Sequence, residues 1–409
     1  MKIKYLFIAI IVLSSFTMFS QEEEKKENPF SFKWDNGFKL QNQDKSFKLK
    51  FGGRIMVDHA YFFQDDDLDT NFGTLETKSG TEFRRARFFM SGTLYKNVEF
   101  KLQVDYVAGV TRIKDAYVGI KNIPGVGTIR VGNVKEPFRL DALTSSKYIT
   151  FMERVLATDF AQERNSGILV FNDFMEKRLA AQAGAFRNAS GTGNDKNAND
   201  GYVLTGRVTG LVINKPEKKQ LLHLGVAHTF RVADNKEFSI SSRPEAHMGP
   251  KYVNTDTMEN IQHANLTNFE LAFVHKSLSF QSEYIIGNYK KIDFDPIDSY
   301  NFASIYGQVS YFITGESKKM KSSYDGFGRV KPNNNFGSEK GPGAWEVAVR
   351  VSNSDLNSED VFGGEQLDLT VGLNWYLNPA TRIMINYVRA DIKDTGKAQV
   401  IQGRMQIDF

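Results

Sequence analysis

The feature that most constrains this chain is an alternation of apolar and polar residues along nearly its whole length, with charges in the middle of the polar series. Val98, Phe100, Leu102, Val104 and Tyr106 interleave with Glu99, Lys101, Gln103 and Asp105. Leu367, Leu369, Val371, Leu373, Trp375 and Leu377 do the same with Asp368, Thr370, Gly372, Asn374 and Tyr376. Strand side chains point to opposite faces in turn, so each segment is a strand with one apolar and one polar face. About sixteen such segments can be counted. They lie near 47–62, 82–94, 97–107, 111–121, 127–134, 164–172, 178–188, 201–213, 220–231, 268–276, 277–288, 301–313, 343–353, 365–376, 380–390 and 397–409. The phase is least clear at 111–121 and 164–172.

Composition helps decide where the apolar face goes. The 409 residues are 41% apolar and 24% charged, too apolar for a disordered chain. Beyond the N-terminus no stretch approaches the ~18 consecutive apolar residues of a membrane-spanning helix. With no cysteine, disulfide frameworks and thiolate metal sites are excluded. Some joints are very short (Tyr95-Lys96, Lys276-Ser277, Asn378-Pro379) and others long and polar. Two packed sandwiches, the competing reading, would have turns of similar length at both ends. The last strand sets Ile401, Gly403, Met405, Ile407 and terminal Phe409 on one face. Such a strand suits a barrel that must seal its final edge in lipid, where unpaired backbone groups are costly. The expected fold is all-β, a 16-stranded antiparallel transmembrane barrel with its apolar face on lipid and its polar face lining water.

Residues 1–20 (MKIKYLFIAIIVLSSFTMFS) read as a signal peptide: Lys2 and Lys4, a short apolar core, then small residues. Cleavage is expected between Ser20 and Gln21, lowering the net charge from +4 to +2, a balance that implies no nucleic-acid partner. Residues 21–46 read as a polar periplasmic lead, and 47–409 as the barrel.

The order and spacing of short words then become specific. They include GGR at 52–54, RRAR at 84–87, EFKLQVDY at 99–106, KDAYVG at 114–119, VKEPF at 134–138 and LTSSKYITFMER at 143–154. RPEAH at 243–247, YFITGES at 311–317, GAWEVAVRVS at 343–352 and LNWYLNPATRIMINYV at 373–388 follow. With these words the chain resembles the phosphate-selective porin O and P family. The resemblance implies a homotrimer in the Gram-negative outer membrane that passes small inorganic anions, with two external loops and one periplasmic turn folded into the lumen. By strand count the long connections 135–163 and 232–267 face outward and 314–342 faces the periplasm.

An anion filter must replace lost hydration with fixed positive charge and donors. Parity turns Arg54, Arg85, Arg87, Arg130, Arg207, Arg231, Arg350 and Arg404 inward, where they can form a guiding ladder. Alternatively they brace the wall against inward Glu99, Asp105, Glu283, Glu346 or Asp368. The resemblance places Ser145, Ser146, Lys147 and Arg154 at the constriction, with Arg54, Arg84, Arg85 and Asp115. Asp115 could accept a hydrogen bond from a partly protonated phosphate, or hold a lysine. Arg84 points opposite to Arg85 unless a bulge re-aims it. The segment 314–342 carries six basic residues, among them Lys318, Lys319 and Lys321, against three acidic ones. The segment 135–163 carries four against five and 232–267 three against five, which favours a basic periplasmic mouth over a uniformly basic pore.

Other chemistries are poorly served. The six histidines show no metal-ligand spacing, and no metal or cofactor is expected. Asp195 to Gly201 has the composition of a calcium loop, but its glycine falls one place late and no final glutamate follows. The acidic loop of Asp65, Asp66, Asp67 and Asp69 reads as solvated; divalent-bridged contact with lipopolysaccharide is the alternative. No serine–histidine–carboxylate group falls on one strand face, so no enzyme is expected. A general, weakly selective porin and a structural or adhesin barrel are the competing functions.

Overall fold

The computed structural model describes residues 28–188, 201–337 and 341–409. The expected signal peptide and residues 195–200 of the calcium-like segment lie outside the described residues. Sixteen long strands follow one another up and down. The first eight are β1 Lys48–Gln64, β2 Ser79–Leu94, β3 Val98–Asp105, β4 Arg112–Ile123, β5 Gly127–Lys135, β6 Arg164–Phe174, β7 Leu179–Arg187 and β8 Tyr202–Lys215. The rest are β9 Gln220–Val232, β10 Ile261–His275, β11 Leu278–Lys291, β12 Ser299–Phe312, β13 Ala344–Ser358, β14 Val361–Tyr376, β15 Thr381–Ile392 and β16 Gly396–Asp408. Each pairs with its sequence neighbours, and β16 returns to β1, from Ala398↔Gln64 to Asp408↔Arg54, which closes the barrel.

Every strand read from the sequence is present, but β10 starts at Ile261 rather than 268 and β13 runs on to Ser358 rather than 353. In both extensions the outward positions are polar: His263, Asn265 and Thr267 in one, Asn353 and Asp355 in the other. A strand that continues past the hydrocarbon needs no apolar outer face, so its alternation fades while its hydrogen bonds persist.

Burial is inverted relative to a water-soluble protein. Val131, Ile385 and Met405 are each more than half exposed on the outer face, whereas inward Arg207, Glu270, Asp368 and Asn374 are buried. Leaving one such large apolar side chain in water forfeits about 1.5–3 kcal/mol. A continuous belt of them is stable only against lipid. Trp345 and Trp375 stack at 5.0 Å at the end with short turns, where an aromatic girdle belongs.

The chain end explains the glycines of the GGR word. The Gly53 amide donates to the Phe409 carbonyl at 2.6 Å, and the Phe409 amide donates to the Gly53 carbonyl at 3.2 Å. A Cβ on Gly52 would sit 2.3 Å from the Phe409 oxygen and 2.8 Å from the Phe89 ring. Backbone cannot retreat from such an overlap, so Gly52→Ala is expected to impair closure. The fraction of heat-modifiable, folded barrel on a gel should fall sharply while expression is unchanged.

The lead at 21–46 differs from its reading as merely polar. Phe30–Trp34 and Phe38–Asn42 form a hairpin whose second strand pairs with the start of β1, Phe38↔Phe51 to Gln41↔Lys48. The inward face also departs from a uniform water lining. On the β9–β13 side Phe138, Val155 and Phe160 pack against inward Leu266, Ile285, Tyr289, Phe302 and Tyr306. The infolded connections bury this half of the lumen as a core.

Candidate anion constriction

Three connections enter the barrel, and wall side chains hold each of them. Residues 136–163 begin with buried Glu136, which accepts from Arg231 at 2.5 Å, Thr205 at 2.6 Å and Asn165 at 2.8 Å. Wall residue Glu283 accepts the Leu140 and Asp141 amides at 2.7 and 2.8 Å, satisfying the free N–H groups at the start of the short helix Leu140–Leu143. Asn386 accepts the Met152 amide at 2.7 Å, and Arg382 donates to the Ile149 carbonyl at 2.8 Å. In the second connection, 233–260, Glu245 binds Arg350 at 2.5 Å. The third, 313–343, comes from the opposite end and meets the first, where the Phe327 amide donates to Thr144 at 3.2 Å. The Lys147 ammonium lies 3.0 Å from Asp408, and Arg329 pairs with the same carboxylate. The penultimate residue of the chain therefore ties both segments to the wall.

Two adjoining cavities lie on the β1–β7 side, across from the core packed on the β9–β13 side. A cavity of about 300 Å³ is lined by Arg54, Arg87, Lys101, Asp115, Tyr117, Arg130, Lys135, Ser145, Ser146, Glu163, Arg164, Lys321 and Asp325, among others. Seven cations face three carboxylates there. A second cavity of about 490 Å³ shares Arg54, Lys101, Ser145 and Lys321 with the first and adds Lys39, Lys48, Lys50 and Lys147; its carboxylates are Glu99 and Asp325. At the join Arg54, Lys101 and Lys321 outnumber the one shared carboxylate, Asp325, which pairs with Lys321 at 2.7 Å.

Arg54 stands apart at that join. Its Nη1 donates to Ser146 at 2.7 Å and to Ser145 at 3.4 Å, and its buried Nε has no partner among the described residues. Among the described residues no carboxylate lies within ion-pair distance of it. A guanidinium held by hydroxyls rather than by an acid keeps its charge available to an anion. Lys147, beside the second cavity, is different: burial brings its pKa down to about 8, against the opposing pull of Asp408. Its charge is present below that pH and lost above it. Anion preference is therefore expected to decline as pH rises from about 7 to about 9. Reversal potentials measured across that range check this, and Lys147→Arg should flatten the profile.

The other expected site residues are divided. Arg84 forms a two-pronged pair with Glu153 at 2.8 Å, and Arg85 lies 3.9 Å from the same acid. Both reach it because β2 skips a residue between Phe83 and Arg85 opposite β1, the bulge that parity alone could not locate. Neither lines the two cavities. Arg154, expected at the ring, turns back onto its own segment, donating to the Thr144 carbonyl at 2.9 Å and pairing with Asp141 at 3.0 Å. Free carbonyls at a helix end attract such a cation. Asp115 holds Lys101 and, at 2.8 Å, Arg164, so both its oxygens are engaged.

Of the ladder, Arg87 pairs with Asp105 at 2.6 Å and Arg130 with Glu99 at 2.7 Å, and both line the first cavity. Arg130 lies between the Tyr117 and Phe171 rings, 4.7 Å from each. Arg207, Arg231, Arg350 and Arg404 sit buried against Glu270, Glu136, Glu245 and Asp58, away from both cavities. Lys318 is buried on Glu346, Lys319 is exposed, and Lys321 faces the join beside Asp325. Sequence reasoning passed over Lys101, Arg164, Glu136, Glu153 and Glu245. Lys101 was legible from parity in EFKLQVDY, and Glu245 lies inside the RPEAH word. Nothing local marks the partners of the other three.

A profile of the phosphate-selective porin O and P family matches residues 57–409. The chain is a member of that family. This porin is 26% identical to Porin O of Pseudomonas aeruginosa over 88% of its own length and 86% of the relative's. It is also 26% identical to an uncharacterized Caulobacter vibrioides protein over 93% and 78%. Its fold is that of OmpT, an outer membrane protein of Vibrio cholerae, in its trimer form (TM-score 0.56, 10% identity, 89% of this chain and 100% of that one). Salmonella typhi OmpF has a similar fold (TM-score 0.54, 10% identity, 93% of this chain and 100% of that one). The family and the lipid-facing belt together place this porin in the outer membrane.

Proposed function

We propose that this porin is a passive channel selective for anions, phosphate or related oxyanions among them. Its filter is the join between the two cavities. Arg54 supplies a two-pronged donor matched to a tetrahedral oxyanion, Ser145 and Ser146 supply hydroxyls, and Lys101, Lys147 and Lys321 supply point charges. The observation that carries this reading is Arg54 itself: a buried cation at the join, bound by hydroxyls and paired with no acid among the described residues. Arg87, Arg130 and Arg164 form the approach, each braced by a carboxylate, so the row guides without trapping. The core packed on the β9–β13 side favours a path along this wall. Arg207, Arg231, Arg350 and Arg404 act in this scheme as anchors for the infolded segments.

Export by the 1–20 signal and assembly as a homotrimer belong to the same proposal, the latter supported by the trimeric form of the OmpT relative in fold. Reversal potentials in a potassium chloride gradient across a planar bilayer test selectivity, with anion preference expected; cation preference refutes it. Phosphate titrated against chloride should block the current, and absence of block removes oxyanion binding from the proposal.

A further inference from the structure

The N-terminal hairpin is amphipathic. Cross-strand partners share a face, so register traces where each of its faces leads. One row runs Trp34↔Phe38↔Phe51↔Met90↔Leu102 from the hairpin through β1 and β2 to β3. The next runs Phe32↔Leu40↔Leu49↔Gly92↔Phe100↔Val118 and ends on β4. Leu102 and Val118 belong to the exposed outer belt. The aromatic face of the hairpin is therefore an extension of the lipid-facing surface below the point where β16 ends.

On that face Phe30, Phe32 and Trp34 are each more than half exposed, and Phe38 nearly so. Phe32 stacks on Phe38 at 5.8 Å, and Trp34 meets Phe38 edge-on at 5.1 Å, so the rings form one patch. The opposite face carries Lys33 and Lys39; Lys39 lines the second cavity with Lys48 and Lys50. Large rings on one side and lysines on the other, at the level of the short turns, match the chemistry of a membrane–water boundary. A hairpin free in the periplasm would leave these rings in water.

We propose that this hairpin is a membrane-interface anchor, its aromatic face seated in the phospholipid of the periplasmic leaflet and its lysine face turned to the channel mouth. Continuity with the belt singles out lipid as the partner. Anchoring the rings holds a short two-stranded element, marginal by itself, in fixed relation to β1. The proposal is independent of which ion the channel selects.

The test uses the full porin in nanodiscs made with either ordinary or acyl-dibrominated phosphatidylcholine. The contribution of Trp34 is the difference in fluorescence between the wild type and Trp34→Phe, which keeps the ring and the fold. About a twofold loss of that contribution in brominated lipid is expected, with little quenching by aqueous iodide. Equal intensity in both lipids together with strong iodide quenching would overturn the anchor and leave the hairpin in water. Shielding from both quenchers, lost when subunits are separated, would overturn it in favour of a contact between copies of the chain.

Discussion

Replacing Arg54 with glutamine is expected to weaken phosphate block of the chloride current by roughly 30-fold, the equivalent of about 2 kcal/mol for lost charge-assisted hydrogen bonds. The size follows from where the charge stands. The other arginines lining the first cavity, Arg87, Arg130 and Arg164, have carboxylate partners, so removing one of them also frees an acid and the two effects oppose each other. Among the described residues Arg54 has only Ser145 and Ser146 as hydrogen-bond partners. Its loss subtracts a cation from both cavities at once and strands no carboxylate. Glutamine can still donate to Ser146, so the segment should remain docked and single-channel conductance in chloride should change little. Block constants measured across a phosphate titration decide the matter; an unchanged constant would clear Arg54 of the role.

Glu136→Ala is expected to act in the opposite sense, opening the channel and erasing its selectivity. Glu136 satisfies Arg231, Thr205, Thr229 and Asn165 together in a buried site. Removing it leaves a guanidinium uncompensated in the interior, a loss of about 3–5 kcal/mol. The interstrand ladders of β1 to β16 do not depend on that contact, so the barrel should still migrate as folded. The cost falls on the 136–163 segment, which is held by side chains rather than by a strand ladder. Larger single-channel conductance with weaker anion preference is the expected outcome. Unchanged conductance would mean that Glu283, Asn386 and Arg382 hold the segment without it.

Much of the architecture was legible because lipid enforces a strict rule. Each spanning strand must show apolar residues at every second outward position, and that requirement writes the strand count, the register and the inward residues directly into the chain. Where the rule lapses, the strand signal lapses with it: the polar outward ends of β10 and β13 lie beyond the hydrocarbon and carry no alternation that distinguishes them from loop. The N-terminal hairpin escaped notice because its strands are only five residues each and are surrounded by charges.

The constriction was less legible, for a different reason. Parity places a side chain inside but says nothing about what it meets there. Arg154 and Lys147 lie in one word of sequence, yet one turns back to the carbonyls of its own short helix while the other reaches Asp408 near the chain terminus. Arg84 and Arg85 converge on Glu153 only because β2 is bulged.

By itself the sequence determined a closed barrel, its outer belt and the set of inward charges, since each depends on period-two geometry and on the cost of unpaired backbone in lipid. Only the tertiary structure decided which of those charges pair and which stay available. That choice rests on contacts between residues far apart in the chain, made when three connections fold into the lumen and fill one half of it. Charge availability is a property of neighbours, and the neighbours are set by packing.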